Sequence, residues 1–254
     1  METLVVGAGE MGRWFARATG WSPTFADVDP EAADVAAREL GGDTAPIDGD
    51  DRFDVVCIAV PIPAVREAVE AHSHRADRAI VDVTGIMEPA LEAMADNASG
   101  LERASLHPLF SAANAPGTVA LAVGREGSTI DALRRALVES GNDLLECTAD
   151  EHDEAMETIQ GAAHAAVLAY GLAAQDVPTG FHTPVSDGLD DLVRQVTDGD
   201  PRVYADIQQA YDGASAVAEA AQHIGAADRE EFRELYRRAA ATALERTADG
   251  GSDP

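Results

Sequence analysis

The chain has 254 residues, enough to bury a sizeable core in one large or two modest domains. Its 46 acidic side chains outnumber its 18 basic ones, all of them arginine, and the formal net charge is -28. So negative a surface excludes nucleic acid and anionic membranes as partners, because both would be repelled.

The acidic residues are spread along the whole chain and do not form a tail. Their repulsion would destabilise the compact state unless salt screened it, so we expect adaptation to a high-salt cytoplasm; the alternative is an acidic mesophilic enzyme. Cys57 and Cys147 lie in apolar segments and are expected to be buried free thiols. A cytoplasmic protein is expected, because the first strand leaves no room for a signal peptide and the apolar run 161–174 is too short to span a membrane.

The first predicted element is a strand that runs straight into a glycine-rich turn. Residues 4–12 read Leu-Val-Val-Gly-Ala-Gly-Glu-Met-Gly, and a helix follows. In such a turn Gly7 permits the tight bend, Gly9 lets the backbone approach a pyrophosphate, and Gly12 lets the helix pack closely on the strand. A second predicted strand ends in Asp27, 18 residues after Gly9, where an acid can hold the adenosine ribose. These residues predict a dinucleotide-binding domain; the alternative is a plain βαβ unit with Asp27 in a loop.

Strands and helices then alternate as far as residue 149. The apolar segment 53–60 is typical of a strand buried on both faces, as parallel strands are. The alternation predicts a Rossmann-type domain over residues 1–149, an α/β fold with a doubly wound, mostly parallel sheet. Its other predicted elements are helices over 31–40, 61–72, 88–95 and 130–140, strands over 79–83, 103–106, 118–123 and 143–147, and an acidic loop over 44–52.

From residue 150 onward alanine-rich helical patterns replace the strands. Helices over 150–175, 188–197, 201–224 and 227–247 predict an all-α second domain that spans residues 150–254. These helices have few bulky side chains and could bury only a thin core alone. We therefore expect a homodimer in which two copies pack through this domain.

His107 is the first candidate for chemistry. It follows a short strand at the carboxyl edge of the predicted sheet, where open α/β folds bind ligands, and Pro108 holds it in extended geometry. A neutral imidazole, whose unperturbed pKa is about 6.5, can accept a proton from an alcohol while hydride leaves the same carbon. A loop histidine bonded to the backbone is the alternative that position alone leaves open.

A second group of polar residues lies on the helix predicted to begin the second domain. Gln160 and His164 are four residues apart and can face one pocket together; the alternative is that they are buried polar residues satisfied within the bundle. His152 lies about 120° away from His164 on the same helix, so we expect it to cap the helix or pack elsewhere. No metal site is predicted, because histidines twelve residues apart on one helix cannot share an ion.

Several motifs in the same order resemble those of prephenate dehydrogenases. Residues 151–171, with Glu-His-Asp at their start and then Met, Gln, His and Tyr-Gly, resemble the second-domain helix of that family. His-Pro-Leu-Phe at 107–110 is similar to the family's His-Pro-Met-Phe, and Val-Pro-Ile at 60–62 matches the segment after its third strand. Residues 200–207 resemble its Asp-Pro…Tyr-Ala-Asp-Ile segment. The resemblance covers residues 4–207.

The chain departs from the family pattern in two places. After the fourth strand the family has Asp-x-(Ala/Thr/Gly)-Ser-x-Lys, whereas residues 82–87 read Asp-Val-Thr-Gly-Ile-Met, so Thr84 would have to supply any hydroxyl contact. The family's substrate-carboxylate arginine lies five residues before the Asp-Pro pair, where this chain has Gln195. The available arginines are Arg194 and Arg202.

The resemblance implies oxidative decarboxylation of prephenate to 4-hydroxyphenylpyruvate in tyrosine biosynthesis, with His107 taking the proton of the ring hydroxyl. It implies substrate contacts from Thr84, Gln160, His164 and an arginine, Arg194 or Arg202. The expected cofactor is NAD and not NADP, because the aspartate at the end of the second strand would repel a 2′-phosphate and no arginine lies in residues 28–31. The expected cofactor contacts are Gly7, Gly9, Glu10, Met11, Gly12, Asp27, Val60, Pro61, Ile62 and Thr84.

Three other functions compete with this one. Arogenate dehydrogenases share the fold and motifs, and their substrate differs by one amino group. Hydroxy-acid dehydrogenases of the same two-domain build usually place a catalytic lysine on the second-domain helix, which a lysine-free chain excludes. A non-catalytic NAD-sensing dimer would not need His107, Gln160 and His164 together.

The charge balance predicts that the folded state gains stability as salt is added. The formal net charge is -28, and the distance over which these charges repel one another falls from about 10 Å in 0.1 M salt to about 3 Å in 1 M salt. We expect the thermal midpoint to rise through a KCl series followed by circular dichroism. A flat or falling midpoint would favour the acidic mesophilic enzyme.

Overall fold

The computed structural model describes residues 1–249. Its chain divides into two units. The first unit comprises Met1–Glu157 and Asp200–Ala210, and the second comprises Thr158–Gly199 and the described residues from Tyr211 onward. The segment from Asp200 to Ala210, which the sequence analysis assigns to the helical domain, thus packs within the first unit.

Eight strands form one sheet in the order β3-β2-β1-β4-β5-β6-β7-β8. Strand β7 runs antiparallel to β6, and every other neighbouring pair is parallel. The predicted doubly wound, mostly parallel sheet is therefore confirmed. The strands are β1 (Glu2–Val6), β2 (Ser22–Ala26), β3 (Asp43–Thr44), β4 (Phe53–Ile58), β5 (Ala76–Asp82), β6 (Glu102–Pro108), β7 (Thr118–Arg125) and β8 (Asp143–Glu146).

Helices cover both faces of the sheet, which explains why its central strands are apolar on both sides. Alternate side chains divide the core: Val5 and Cys57 pack in one buried cluster, and Leu4 and Val56 pack in the other. The first cluster includes side chains of α1, α2 and α5, and the second includes side chains of α3 and α4. The helices of the first unit are α1 (Glu10–Thr19), α2 (Pro30–Leu40), α3 (Val65–His72), α4 (Glu88–Asn97), α5 (Ser128–Glu139), α6 (Ala149–Met156) and α9 (Pro201–Ala210).

The second unit is helical. It contains α7 (Ala163–Ala173), α8 (Pro184–Thr197), α10 (Gly213–Ala226) and α11 (Arg229–Asp249). Helices α7 and α8 lie close together at Gly171, where an added Cβ would meet Val193 at 3.1 Å. None of the helices in the described part of the chain combines the length and the apolar run that crossing a membrane requires.

The structure differs from the sequence prediction at several element boundaries. Thr44, predicted to begin a loop, belongs to the two-residue edge strand β3, which is too short to show alternation. The helix predicted over 201–224 is two helices, α9 and α10. The helix predicted over 150–175 contains a π-helical turn at Glu157–Ala162. Both cysteines are free as expected, but Cys147 is only half-buried.

One buried arginine fixes the acidic loop that follows β3. Arg75 is 0% exposed, and its guanidinium donates to the carbonyls of Asp51 at 3.2 Å and Pro46 at 3.3 Å. The same group lies over the Phe53 ring, 5.6 Å from its centroid. An arginine suits this place because its several N–H donors can serve separate carbonyls while its flat face stacks on an aromatic ring.

The geometry of the turn after β1 predicts that alanine destabilises the protein far more at one glycine than at a nearby one. Gly7 has φ +102°, and an added Cβ would lie 2.2 Å from the carbonyl oxygen of Ala59, whereas a Cβ at Gly9 would meet no atom within 4 Å. We expect Gly7→Ala to lower the free energy of unfolding by at least ~2 kcal/mol and the matched control Gly9→Ala to change it by less than ~1 kcal/mol. Urea denaturation in molar KCl measures both, and equal effects would contradict the expectation.

Candidate functional site

The predicted cofactor residues lie at one edge of the sheet. The glycine-rich turn follows β1, Asp27 follows β2, the Val-Pro-Ile segment at 60–62 follows β4, and Thr84 follows β5. Strands β1 and β4 are neighbours at the point where the strand order reverses, the place at which open α/β sheets bind ligands. Parallel pairing thus collects residues that lie far apart in the sequence.

The glycine-rich turn has the shape that a phosphate group requires. Gly9 is the N-cap of α1 and has no side chain to satisfy the N–H groups of the first turn. The open space at its Cβ position leaves room for a ligand to approach the backbone. An added Cβ at Gly12 would lie 2.1 Å from the carbonyl oxygen of Gly7, so helix and strand are in close contact there. These features fit the pyrophosphate of a dinucleotide.

Asp27 is fixed by hydrogen bonds at the end of β2. Its Oδ2 accepts from the backbone N–H of Ala8 at 2.7 Å, and its Oδ1 accepts from that of Asp29 at 2.9 Å. Each carboxylate oxygen has a further lone pair, so the group can also accept from hydroxyls. Asp27 therefore joins the glycine-rich turn to the place where a ribose would lie.

His107 is a buried residue of β6, only 9% exposed. The backbone of Gly85, at φ +84°, lies against one edge of its ring: an added Cβ there would be 3.2 Å from Nε2. Burial lowers the pKa of His107 to about 3; the positive charge of a protonated His152 lowers it too, and Asp153 acts in the opposite direction. The pKa of His107 therefore lies well below the unperturbed value of about 6.5, and His107 is neutral at neutral pH.

The expectation that His152 packs away from the site is wrong. Its Nε2 lies 2.8 Å from Nδ1 of His107, and its own Nδ1 lies 2.7 Å from Oδ1 of Asp153. The helical angle to His164 was misleading for two reasons. It contains no information about β6, which supplies the partner of His152, and a π-helical turn changes the angle between residues on either side of it.

Asp153 has a second set of partners at the start of α4. Its Oδ1 accepts from the backbone N–H of Met87 at 3.1 Å and its Oδ2 from that of Glu88 at 2.9 Å. Burial alone would raise the pKa of Asp153, but the hydrogen bonds from His152, Glu88 and Met87 together lower it. The side chains of His107, His152 and Asp153, called the His-His-Asp triad below, thus end on a carboxylate held in its charged form.

A local sequence signal could have placed the triad. Thr148 and Glu151 form a capping box: the Thr148 hydroxyl accepts from the N–H of Glu151 at 3.2 Å, and Glu151 Oε2 accepts from the N–H of Thr148 at 2.9 Å. Thr-x-x-Glu is recognisable in the sequence and sets the start of α6. It would have placed His152 and Asp153 in the first turns of a helix beginning just after β8.

Thr84, the proposed source of a hydroxyl contact, is oriented by its neighbour. Its hydroxyl donates to Oδ2 of Asp82 at 2.6 Å, and its backbone N–H donates to the same oxygen at 3.0 Å. Burial raises the pKa of Asp82 to about 6, although the bonds from Thr84 oppose the shift. The oxygen of Thr84 keeps its lone pairs for another donor.

The other predicted substrate residues lie on the later helices. Gln160 belongs to the π-helical turn and His164 to α7, both half-buried in the second unit, and burial lowers the pKa of His164. Arg194 lies exposed on α8 and forms an ion pair with Asp191. Arg202 lies in α9 of the first unit and pairs with Asp200 at 2.7 Å.

One group of side chains in the described residues could hold a metal ion. His182, Asp187 and Asp190 each offer a ligand atom, all within 4.8 Å of one another. The three residues lie at the surface of the second unit, and His182 already bonds to Asp187 at 3.0 Å. No other feature of the described residues around them points to an ion.

Comparison with known proteins identifies relatives over most of the chain. Residues 16–122 match the family described as prephenate dehydrogenase, nucleotide-binding domain. The 4-amino-4-deoxyprephenate dehydrogenase of Streptomyces pristinaespiralis is 30% identical over 259 aligned positions, which cover 92% of this chain and 88% of that protein.

Two solved structures show the same fold. Prephenate dehydrogenase from Aquifex aeolicus, in complex with hydroxyphenyl propionate and NAD+, superposes with a TM-score of 0.73 at 17% identity and covers 98% of both chains. Synechocystis arogenate dehydrogenase superposes with a TM-score of 0.62 at 19% identity, covering 98% of this chain and 99% of its own. The chain belongs to the prephenate dehydrogenase family.

Proposed function

We propose that the protein catalyses the NAD-dependent oxidative decarboxylation of prephenate to 4-hydroxyphenylpyruvate. The observation that carries this proposal is the placement of His107: a buried, neutral imidazole at the carboxyl edge of a sheet that also has a dinucleotide-binding turn. Proton transfer to such a base is what oxidation of a ring carbinol requires.

The proposed cofactor site uses the fixed groups at the edge of the sheet. The N-terminus of α1 would hold the pyrophosphate, and Asp27 would accept from the ribose hydroxyls. Bound NAD+ would accept the hydride. Asp27, Asp29 and Glu31 form a negative group beside the expected ribose position, which disfavours the extra phosphate of NADP.

His107 holds the proton of the substrate while the ring becomes aromatic. The ring hydroxyl transfers its proton to His107 as the hydride leaves the same carbon with both bonding electrons. Loss of CO2 returns an electron pair to the ring, and His107 then gives the proton back to the phenolic oxygen. The driving force is the aromaticity of the product, so the protein mainly supplies position and a temporary acceptor.

The substrate contacts remain those that the family resemblance implies: Thr84, Gln160, His164 and an arginine, Arg194 or Arg202. Both arginines already pair with a neighbouring aspartate, Asp191 and Asp200. Because a guanidinium has five N–H donors, one carboxylate does not exhaust its capacity to bind another.

A second candidate substrate is 4-amino-4-deoxyprephenate, which has an amino group in place of the ring hydroxyl. The observation that favours it is the 30% identity to an enzyme named for that substrate. The same His107 would then take the proton from nitrogen and not from oxygen.

Turnover with defined substrates tests the proposal. We expect NADH formation in molar KCl to show the highest kcat/KM with prephenate, lower values with arogenate and 4-amino-4-deoxyprephenate, and a clear preference for NAD over NADP. A higher kcat/KM for either alternative substrate would reassign the substrate. Equal or better turnover with NADP would contradict the role given to Asp27.

The control is His107→Asn, which keeps a similar size and polarity but cannot take up a proton near neutral pH. We expect kcat to fall about 10²- to 10⁴-fold while KM stays within a few-fold. Parent-like turnover of this variant would show that the base lies elsewhere.

We also propose that the protein is a homodimer formed through its helical unit. In α7 no residue is buried, although its only polar side chains are those of His164 and Tyr170, and Leu172 is 88% exposed. So apolar a surface is typical of an interface between subunits. Other large apolar side chains exposed in this unit are Phe181, Val185, Phe232 and Tyr236.

Substitution on α7 should separate the subunits. We expect light scattering in molar KCl to give a dimer for the parent chain and a shift towards monomer for Leu172→Glu, which introduces a charge that is costly to bury. Val138→Glu is the matched control, since Val138 is an exposed apolar residue of α5 in the first unit. A monomeric parent, or equal effects of the two variants, would contradict the proposal.

A further inference from the structure

We infer that His152 and Asp153 are positioning residues for the base: through the His-His-Asp triad they fix the tautomer and orientation of His107, so that Nε2 is the atom that accepts the proton. The inference rests on the proposed function for its catalytic consequence. The hydrogen-bond geometry that it describes does not depend on which substrate the enzyme uses.

The carboxylate of Asp153 at the end of the triad determines which nitrogen of each histidine carries the proton. Asp153 is a carboxylate that accepts from two backbone N–H groups, so it also acts as the acceptor towards Nδ1 of His152. When His152 is neutral only one of its ring nitrogens carries hydrogen, and its Nε2 is then an acceptor. His107 must then donate its Nδ1–H across the 2.8 Å contact, which leaves the lone pair on its Nε2.

The orientation of the ring follows from the same bond and from the glycine beside it. The hydrogen bond to His152 holds the Nδ1 side of His107, and the Gly85 backbone lies against the Nε2 side. Because Gly85 has no side chain, no side-chain atom of this residue lies between its backbone and Nε2 of His107. The hydrogen bond to His152 thus holds the accepting atom in one place, as a catalytic base requires.

The triad also compensates for the burial of the base. Burial disfavours a charged imidazolium at His107, whereas the negative charge of Asp153 favours it. When Nε2 takes the proton, the positive charge is shared across the hydrogen bond with His152 and faces the Asp153 carboxylate. No proton needs to leave the site, because His107 returns it to the product oxygen.

The neighbours of Asp153 leave its charge available to His152. Met87 stands where the family resemblance expects a lysine, and its side chain is fully buried beside Ala120 and Ala122. It offers Asp153 a backbone N–H and no competing cation. The departure from the family pattern at this position is thus consistent with a carboxylate dedicated to the triad.

Three substitutions separate the contributions of the triad. Asp153→Asn removes the charge but keeps an oxygen that can cap α4. His152→Gln keeps an acceptor oxygen for Nδ1–H of His107 but loses the ring that joins it to Asp153, and His152→Leu removes both links. Glu154→Gln is the matched control, because it removes the same charge from the exposed side of α6.

We expect Asp153→Asn and His152→Leu to lower kcat about 10- to 100-fold with KM within a few-fold, His152→Gln to lose less than His152→Leu, and Glu154→Gln to match the parent. Long-range 1H–15N spectra of histidine-labelled protein give a second readout that needs no substrate. His107, identified by the signals missing in His107→Asn, should carry its proton on Nδ1 in the parent and exchange between tautomers in Asp153→Asn and His152→Leu.

Each outcome bears on the inference. An inactive parent with the expected Nδ1–H signal would overturn the proposed function but leave the tautomer assignment standing. An Nε2–H tautomer in the parent, or a tautomer unchanged in every triad variant, would overturn the inference even if activity fell, since that fall would then reflect general disruption. Parent-like kcat in both Asp153→Asn and His152→Leu would overturn it as well.

Discussion

Parallel strand pairing is the constraint on which the rest of the molecule depends. Strands β1, β2, β4, β5 and β6 run in the same direction, so all their carboxyl ends meet at one edge. This is why a glycine turn near the start of the chain and a histidine a hundred residues later belong to one region. The helices on both faces keep the strands buried, and the polar side chains of Asp82 and His107 lie at the ends of their strands.

Electrostatics differ sharply between the surface and the interior. Outside, acidic side chains predominate, and about half of the described arginines pair with them, as Arg134 does with Glu126 and Glu146. Inside, the charged groups are few, and Asp153 is held by His152 and two backbone N–H groups. A dicarboxylate substrate that binds Arg194 or Arg202 would have to share it with the aspartate to which it is already paired.

Local signals in the sequence predicted local structure well. Three glycines predicted the turn after β1, and the helix predicted over 31–40 agrees within one residue with α2, where Asp29 accepts from the N–H of Glu31 at 3.0 Å. Such features depend on residues only a few positions apart. The same holds for the position of His107 at a strand end, which follows from a short apolar segment and a proline.

Those local signals do not predict contacts between elements that lie far apart in the sequence. A helical wheel gives the angle between His152 and His164, but the partner of His152 lies on β6, which no wheel contains. The π-helical turn at Glu157–Ala162 has no simple sequence signature, and it changes the angle that the wheel assumes. The sequence also does not predict that β7 runs antiparallel to β6, because a buried strand has the same apolar pattern in either direction.

The two sets of bonds made by Asp153 have a consequence for how the protein responds to acid. The same carboxylate caps the first turn of α4 and anchors the imidazole pair. The pKa of Asp153 is lower in the folded state than in the unfolded state. The stabilising effect of this carboxylate is therefore fully present above the ordinary pKa of aspartate, and it is lost as the pH falls through the lower pKa of the folded state. Protonation would therefore fray the beginning of a helix and release the base in a single step. Acid inactivation and local melting would be one event, reported equally by amide exchange at Met87 and Glu88 and by the loss of turnover.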